Sequence, residues 1–201
     1  MSQIALPLAT GGGGPPRIVV GKSNARAVEA LGSPASWPFH TAVLVGPEGS
    51  GKSLLAGWFS AEGRGDVLDD APAYPEAEIF HAWNRAQEGG RPLLLTARPG
   101  WKIALPDLVS RLAGSLQLEM QAPDDAMIED LLAAHAERRG LALGDAAFTY
   151  LTPRLERSHA AAEAVIAAID RISLERQAPP TMSIWRDALE AVQGPEQRRL
   201  L

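Results

Sequence analysis

Cysteine is absent from the 201 residues, which excludes a disulfide framework, a thiolate zinc site and a cysteine nucleophile. No run approaches the roughly 18 consecutive apolar residues of a membrane span, and the N-terminus lacks the basic region and apolar stretch of a signal peptide. A cytoplasmic protein with no membrane partner is therefore expected. Positive charge is also short, with 19 Lys and Arg against 24 Asp and Glu and a net charge of -5. Broad nucleic-acid binding needs clustered basic side chains that displace counterions, so contact with DNA is expected only indirectly. Trp58, Trp83, Trp101 and Trp185 stand too far apart to form a base-stacking platform and are assigned to packing.

The 46% hydrophobic content is enough to bury a core of one domain plus a small appendage. Gly11–Pro16 (GGGGPP) sustains neither helix nor strand, which makes residues 1–16 a tethered tail. A helix is predicted over Asn24–Leu31 with Asn24 near its N-cap. Thr41–Val45 (TAVLV) is the continuous apolar run of a strand covered on both faces. Further strands are predicted over Asp66–Leu68, Arg91–Thr96 and Leu116–Met120, with helices from near Gly51 to before Gly63 and over Glu76–Glu88. From Pro123 the period becomes helical. Asp124 and Asp125 complement the N-terminus of the first of these helices, and Arg138, Arg139 and Gly140 close it. More helices follow near 145–155, 158–176 and 183–193. The expectation is an α/β domain with a mostly parallel sheet over residues 17–122, followed by a small α-helical lid over 123–201.

Gly46-Pro47-Glu48-Gly49-Ser50-Gly51-Lys52-Ser53 matches the Walker A pattern between a predicted buried strand and a predicted helix. Glycines let backbone N–H groups turn toward phosphates, and the helix N-terminus adds partial positive charge. Lys52 reaches the outer phosphates and the Ser53 hydroxyl can ligate magnesium. An accidental glycine-rich turn would match this pattern in on the order of one chain in a hundred of this length. Downstream, Asp69 would hold the magnesium through water and Asp70 would orient an attacking water.

Several stretches resemble the DnaA-related AAA+ family, and more closely its short Hda branch than the initiators themselves. Phe80-His81-Ala82-Trp83-Asn84 and Leu93-Leu94-Leu95-Thr96-Ala97-Arg98 resemble the passage ending in sensor I, which makes Thr96 the sensor I residue. Leu105-Pro106-Asp107-Leu108-Val109-Ser110-Arg111-Leu112 resembles the box VII region, which implies that Arg111 is an arginine finger acting in trans. Ile18–Asn24 is similar to the piece lining the adenine pocket, and with Leu54 it adds Val19 and Val20 to the nucleotide-binding residues. Gln3-Ile4-Ala5-Leu6-Pro7-Leu8 is similar to the peptide by which this branch docks on the DNA polymerase III sliding clamp. Gln3 supplies hydrogen bonds, Leu6 and Leu8 fill an apolar pocket, and Pro7 lowers the ordering cost. The chain ends at Leu201, where the initiators continue into a DNA-binding domain, so no such domain is expected.

Two departures from the family carry expectations. About a dozen residues separate Ser53 from Asp66, which predicts a sheet one strand short with the Asp66 strand at an edge. Ala160 stands where the family has its sensor II arginine, which puts intrinsic ATP hydrolysis in doubt and leaves Arg154 and Arg157 as candidates to replace it. His81 and His135 are assigned to packing or surface roles, and no partner is identified for His40 and His159. The resemblance implies an adaptor that binds ADP or ATP with magnesium, attaches to the clamp and stimulates hydrolysis of ATP bound to DnaA. Self-association stays open. An autonomous ATPase or loader, or a degenerate interaction module, are the other readings.

Overall fold

The computed structural model describes residues 18–194. The expected tail, with Gln3, Leu6, Pro7 and Leu8, lies outside the described residues. Thr41–Val45 (β1), Asp66–Leu68 (β2), Leu93–Ala97 (β3) and Leu116–Glu119 (β4) form a sheet in the order β2-β3-β1-β4. Every adjacent pair is parallel, with Val43 opposite Leu95 on one side and Gln117 on the other. The helices Ala25–Gly32 (α1), Lys52–Ala61 (α2), Glu76–Gly89 (α3) and Pro106–Gly114 (α4) cover it.

The period-2 alternation of strand side chains divides the strand residues between two cores. Ala42, Leu44, Leu94 and Leu118 pack with Leu31 of α1 and with Leu55, Trp58 and Phe59 of α2. Val43, Leu93 and Leu95 pack with Ile79 and Trp83 of α3 and with Leu108 and Leu112 of α4. Each large apolar side chain removed from water in this way contributes about 1.5 to 3 kcal/mol. The central strands β1 and β3 are accordingly apolar on both faces, whereas β2 reads as a partly exposed edge.

Residues 54–65 contain the rest of α2 and a turn, with no strand. Ten residues of helix rise roughly 15 Å, which returns the chain along the sheet straight into β2. The Asp66–Leu68 strand therefore forms the edge, as its short connection implies.

Some boundaries move. β3 begins at Leu93 rather than Arg91, because Pro92 has no N–H to offer a ladder. Asn24 precedes α1, but its side chain does not cap the helix. It accepts from Gly21 N–H and donates to the Val19 carbonyl, both at 2.9 Å, tying down the segment ahead of the helix. α4 has no counterpart among the predicted elements. Pro106 at its first turn, Asp107 beside it and the buried pair Leu108 and Leu112 four residues apart account for it.

Asp125–Arg138 (α5), Asp145–Leu151 (α6), His159–Arg176 (α7) and Met182–Gln193 (α8) pack around a further core that includes Met127, Leu131, Val165, Ile169 and Ile184. The Asp124 carboxylate caps α5 by accepting from Met127 N–H, and Ser158 Oγ caps α7 by accepting from Ala161 N–H. α6 stops before 155 because Pro153 turns Thr152–Arg154 into a 3-10 helix. Among the described residues no helix is long and apolar enough to cross a membrane.

Candidate functional site

Four parallel strands open their C-terminal ends on one edge of the sheet, and the segments leaving them meet there. Gly46–Ser53 leads from β1 into α2 with Gly49 and Gly51 at φ 73 and 93, left-handed values that glycine adopts without steric cost. The first N–H groups of α2 have no intrahelical acceptor and carry the positive end of the helix dipole. Lys52 folds back on the loop, and its Nζ donates to the carbonyls of Gly46 and Pro47 at 2.7 Å each. Burial and the neighbouring Arg98 lower its pKa, against the opposing pull of Asp69, Asp70 and Glu48.

Thr96 on β3 ties the end of β2 to the centre of the sheet. Its hydroxyl donates to Asp69 Oδ1 at 2.6 Å and accepts from the Asp70 N–H at 2.8 Å. With 1% exposure it has no water to fall back on, so both bonds hold the Asp69 carboxylate in place. Asp70 is exposed and takes a left-handed conformation, φ 55, which Asp tolerates better than most residues. At the end of β3, Arg98 pairs with Glu48 at 3.0 Å.

The helical lid closes over this loop. His159 N–H donates to the Gly49 carbonyl at 3.0 Å. A Cβ at Gly49 would lie 2.4 Å from Ser158 Cβ, and one at Gly51 would lie 2.7 Å from His159 Nε2, so any larger residue would push the lid away. A cavity of about 320 Å³ remains between the two parts. Ile18, Val19 and Asn24 line it from the N-terminal segment, Gly49, Gly51 and Lys52 to Leu55 from the loop and α2. Leu131, His135 and Arg138 of α5 and His159, Ala160 and Glu163 of α7 complete the wall. Burial lowers the pKa of His135. Burial and then His135 lower that of His159 to about 4.

Residues 124–189 match the family described as Hda, lid domain. The chain superposes on domain III of the Thermotoga maritima replication initiation protein DnaA with a TM-score of 0.75 at 16% identity, covering 89% of this chain and 95% of that one. AMPPCP-bound DnaA from Aquifex aeolicus gives a TM-score of 0.63 at 20% identity over 80% of this chain and 66% of that one. The Thermotoga maritima RuvB Holliday junction branch migration motor gives 0.61 at 14% identity over 86% and 70%. Comparison with curated proteins returned no match. The fold is that of the DnaA-related AAA+ proteins, and the lid is of the Hda family.

Within this DnaA-type frame Val19, Gly49, Gly51, Lys52, Ser53 and Leu54 line the cavity, whereas Val20 packs against the sheet core instead. Gly46 and Pro47 hold Lys52 through their carbonyls, Ser50 Oγ donates to the Pro47 carbonyl at 2.9 Å, and Glu48 is engaged by Arg98. The Ser53 hydroxyl and the Asp69 carboxylate are the oxygens that could hold magnesium. The ion takes few protein ligands beside phosphates and waters, and among the described residues no cluster of three or more His, Asp or Glu forms an all-protein cage. A hydroxyl and one fixed carboxylate near Lys52 fit that requirement.

Arg111 lies in the last turn of α4, away from the cavity. Its guanidinium stands 4.4 Å from the Trp83 ring centroid and 4.6 Å from that of Phe80, and donates to Asn84 Oδ1 at 3.2 Å. Ala160 of the Hda-type lid faces the cavity, but neither candidate replacement does. Arg154 stacks over Tyr150 at 4.2 Å and donates to its carbonyl, and Arg157 pairs with Asp125 at 2.9 Å. The polar lid residues at the cavity are instead His135, Arg138, His159 and Glu163, none of which the sequence singled out as a site residue. His81 is exposed, edge-on to Phe80, in keeping with a surface role. The one sequence signal for His159 was its place directly after a good N-cap, Ser158, and before Ala160.

Proposed function

We propose that this chain is a DnaA-related adaptor that holds an adenine nucleotide between the Gly46–Ser53 loop and the lid and stimulates hydrolysis of ATP bound to DnaA. The observation that carries the reading is the junction of an Hda lid with a Walker A loop through the His159 to Gly49 hydrogen bond. Lys52 and the first N–H groups of α2 would hold the phosphates, Val19 and Leu54 would contact the base, and Ser53 and Asp69 would hold magnesium. Magnesium supplies charge neutralisation between the outer phosphates when bound. Thr96 fixes Asp69, and Asp70 stands exposed where it can orient water.

The chain's own nucleotide is ADP in this reading, and it locks the lid to the core. Residues 1–16 form a tail that reaches the DNA polymerase III sliding clamp through Gln3, Leu6, Pro7 and Leu8, so that DNA is contacted only through partners. Residues 17–122 and 123–201 act as nucleotide-binding core and lid. Arg111 would enter the DnaA site to neutralise charge on the transferring phosphoryl group. Binding of immobilised clamp by the full chain, and its loss on removing residues 1–10, tests the adaptor reading; clamp binding unaffected by the deletion would refute the role of the tail. The intact Thr96, Asp69 and Asp70 arrangement favours a second reading, an autonomous ATPase or loader. A measured intrinsic turnover that persists without DnaA would favour it.

A further inference from the structure

We propose that His159 binds phosphate: its imidazole, set beside an alanine where an arginine is expected, donates Nε2–H to the β-phosphate of a nucleoside diphosphate held on the Gly46–Ser53 loop. The proposal rests on the nucleotide-binding reading above. Four observations carry it.

The ring is aimed by two backbone anchors, the Ser158 cap on α7 and the bond from its own N–H to the Gly49 carbonyl. Nε2 stands over Gly51, 2.7 Å from where a Cβ would be, at the N-terminus of α2 where the loop's N–H groups converge. Nε2 is inaccessible to solvent and has no hydrogen-bond partner among the described residues. A buried polar atom left without a partner is destabilising, and a phosphate oxygen on this loop would supply the missing acceptor. Finally, the arginines that flank the position, Arg154 and Arg157, are engaged elsewhere.

The groups facing the ring are Lys52 from α2, His135 and Arg138 from α5, and Glu163 from α7. Arg138 leans toward Glu163 at 3.7 Å. With its pKa at about 4, His159 is neutral at pH 7, so it keeps one N–H donor and one acceptor nitrogen. A neutral donor adds no third cation to a wall that already holds Lys52 and Arg138.

Titration calorimetry of the full chain at pH 7.5 with ADP and with AMP, for wild type, His159→Ala and His159→Gln, tests the assignment. His159→Ala should weaken ADP by about tenfold, the value of one hydrogen bond to a charged acceptor, and leave AMP within about twofold. His159→Gln, which restores an N–H donor, should recover most of the ADP affinity. Equal ADP affinity in wild type and His159→Ala would overturn the assignment. An equal loss for ADP and AMP would make the residue a structural lid contact, and tighter ADP binding would make the ring a plug; each overturns it. Should wild type bind neither nucleotide, the nucleotide reading falls first and the assignment with it. Melting of each variant without ligand confirms that the chain is folded.

Discussion

Replacing Arg111 with alanine separates an activator in trans from a self-contained ATPase. The guanidinium rests on two rings and one amide oxygen. Half-exposed cation–π contacts are worth about 0.5 to 1 kcal/mol each, and a hydrogen bond from a charged group about 1.5 kcal/mol or somewhat more. The substitution therefore costs roughly 2 to 4 kcal/mol of stability, against the 5 to 15 kcal/mol typical of a domain. The variant stays folded. An arginine finger supplied in trans is worth about 10³ to 10⁵ in rate, or roughly 4 to 7 kcal/mol of barrier. Partial loss of stability cannot imitate that effect, because a chain that remains more than 90% folded loses only a small fraction of its activity. The assay is single-turnover loss of labelled ATP from DnaA with clamp-loaded DNA, after a melt of each variant. Arg111→Lys should rescue little, since the ammonium keeps the charge but loses the planar fork and the stacking face. ADP and clamp binding should survive both changes. Equal rates for wild type and Arg111→Ala would refute the finger assignment.

Lys52→Ala should raise the ADP dissociation constant by about 10- to 100-fold, the value of a charge-assisted bond to phosphate, and should shrink the rise in melting temperature that ADP produces; unchanged affinity by calorimetry would remove the phosphate-loop reading. Replacing Gln3, Leu6 and Leu8 with alanine should abolish binding to immobilised clamp in surface plasmon resonance and leave ADP affinity intact, and wild-type-like binding would refute the tail's role. His159 is held neutral, so between pH 6.5 and about 4 the unfolded chain takes up a proton there that the folded chain refuses. The stability its burial provides is fully present above pH 6.5 and is lost as pH falls toward 4, by up to about 3 kcal/mol. Urea unfolding of wild type and His159→Gln at pH 7 and 4.5 measures it, and parallel losses in the two proteins would refute this account.

The elements legible in the sequence are those whose signal is local and redundant. Thr41–Val45 combined an apolar run with a glycine-rich loop after it, and Asp124 and Asp125 stood at the N-terminal end of a helical period. The edge position of Asp66–Leu68 followed from the short Ser53–Asp66 connection set against the family pattern. α4 was missed because an exposed Leu105 just ahead of its nine residues and an exposed Val109 within them blur the apolar stripe, and only Leu108 and Leu112 face the core. The core half of the site was legible because a loop and the strand end beside it share one edge. The lid half was not. His135, Arg138, His159 and Glu163 reach the cavity only through the docking of α5 and α7 on the loop, a long-range contact with no spacing rule.

The pairing of charges around the loop bears on which nucleotide is hydrolysed. Stabilising a third phosphate as it transfers requires cationic groups able to turn toward it, and drawing an arginine from a carboxylate forfeits an ion pair. Three arginines around the loop and on the lid already have such a partner: Arg98 with Glu48, Arg138 with Glu163 and Arg157 with Asp125. The position that would add another cation is Ala160, and the next turn of the same helix brings the Glu163 carboxylate to the cavity wall. Arg111 is held differently, by π faces and an amide, which retain a guanidinium without neutralising it. In the reading proposed above, a cavity whose lid arginines are already paired would retain a diphosphate. In the adaptor reading proposed above, the cation kept on the rings of α3 would be the one that acts at a partner's nucleotide, so the Arg111 and Lys52 substitutions should separate stimulation from binding.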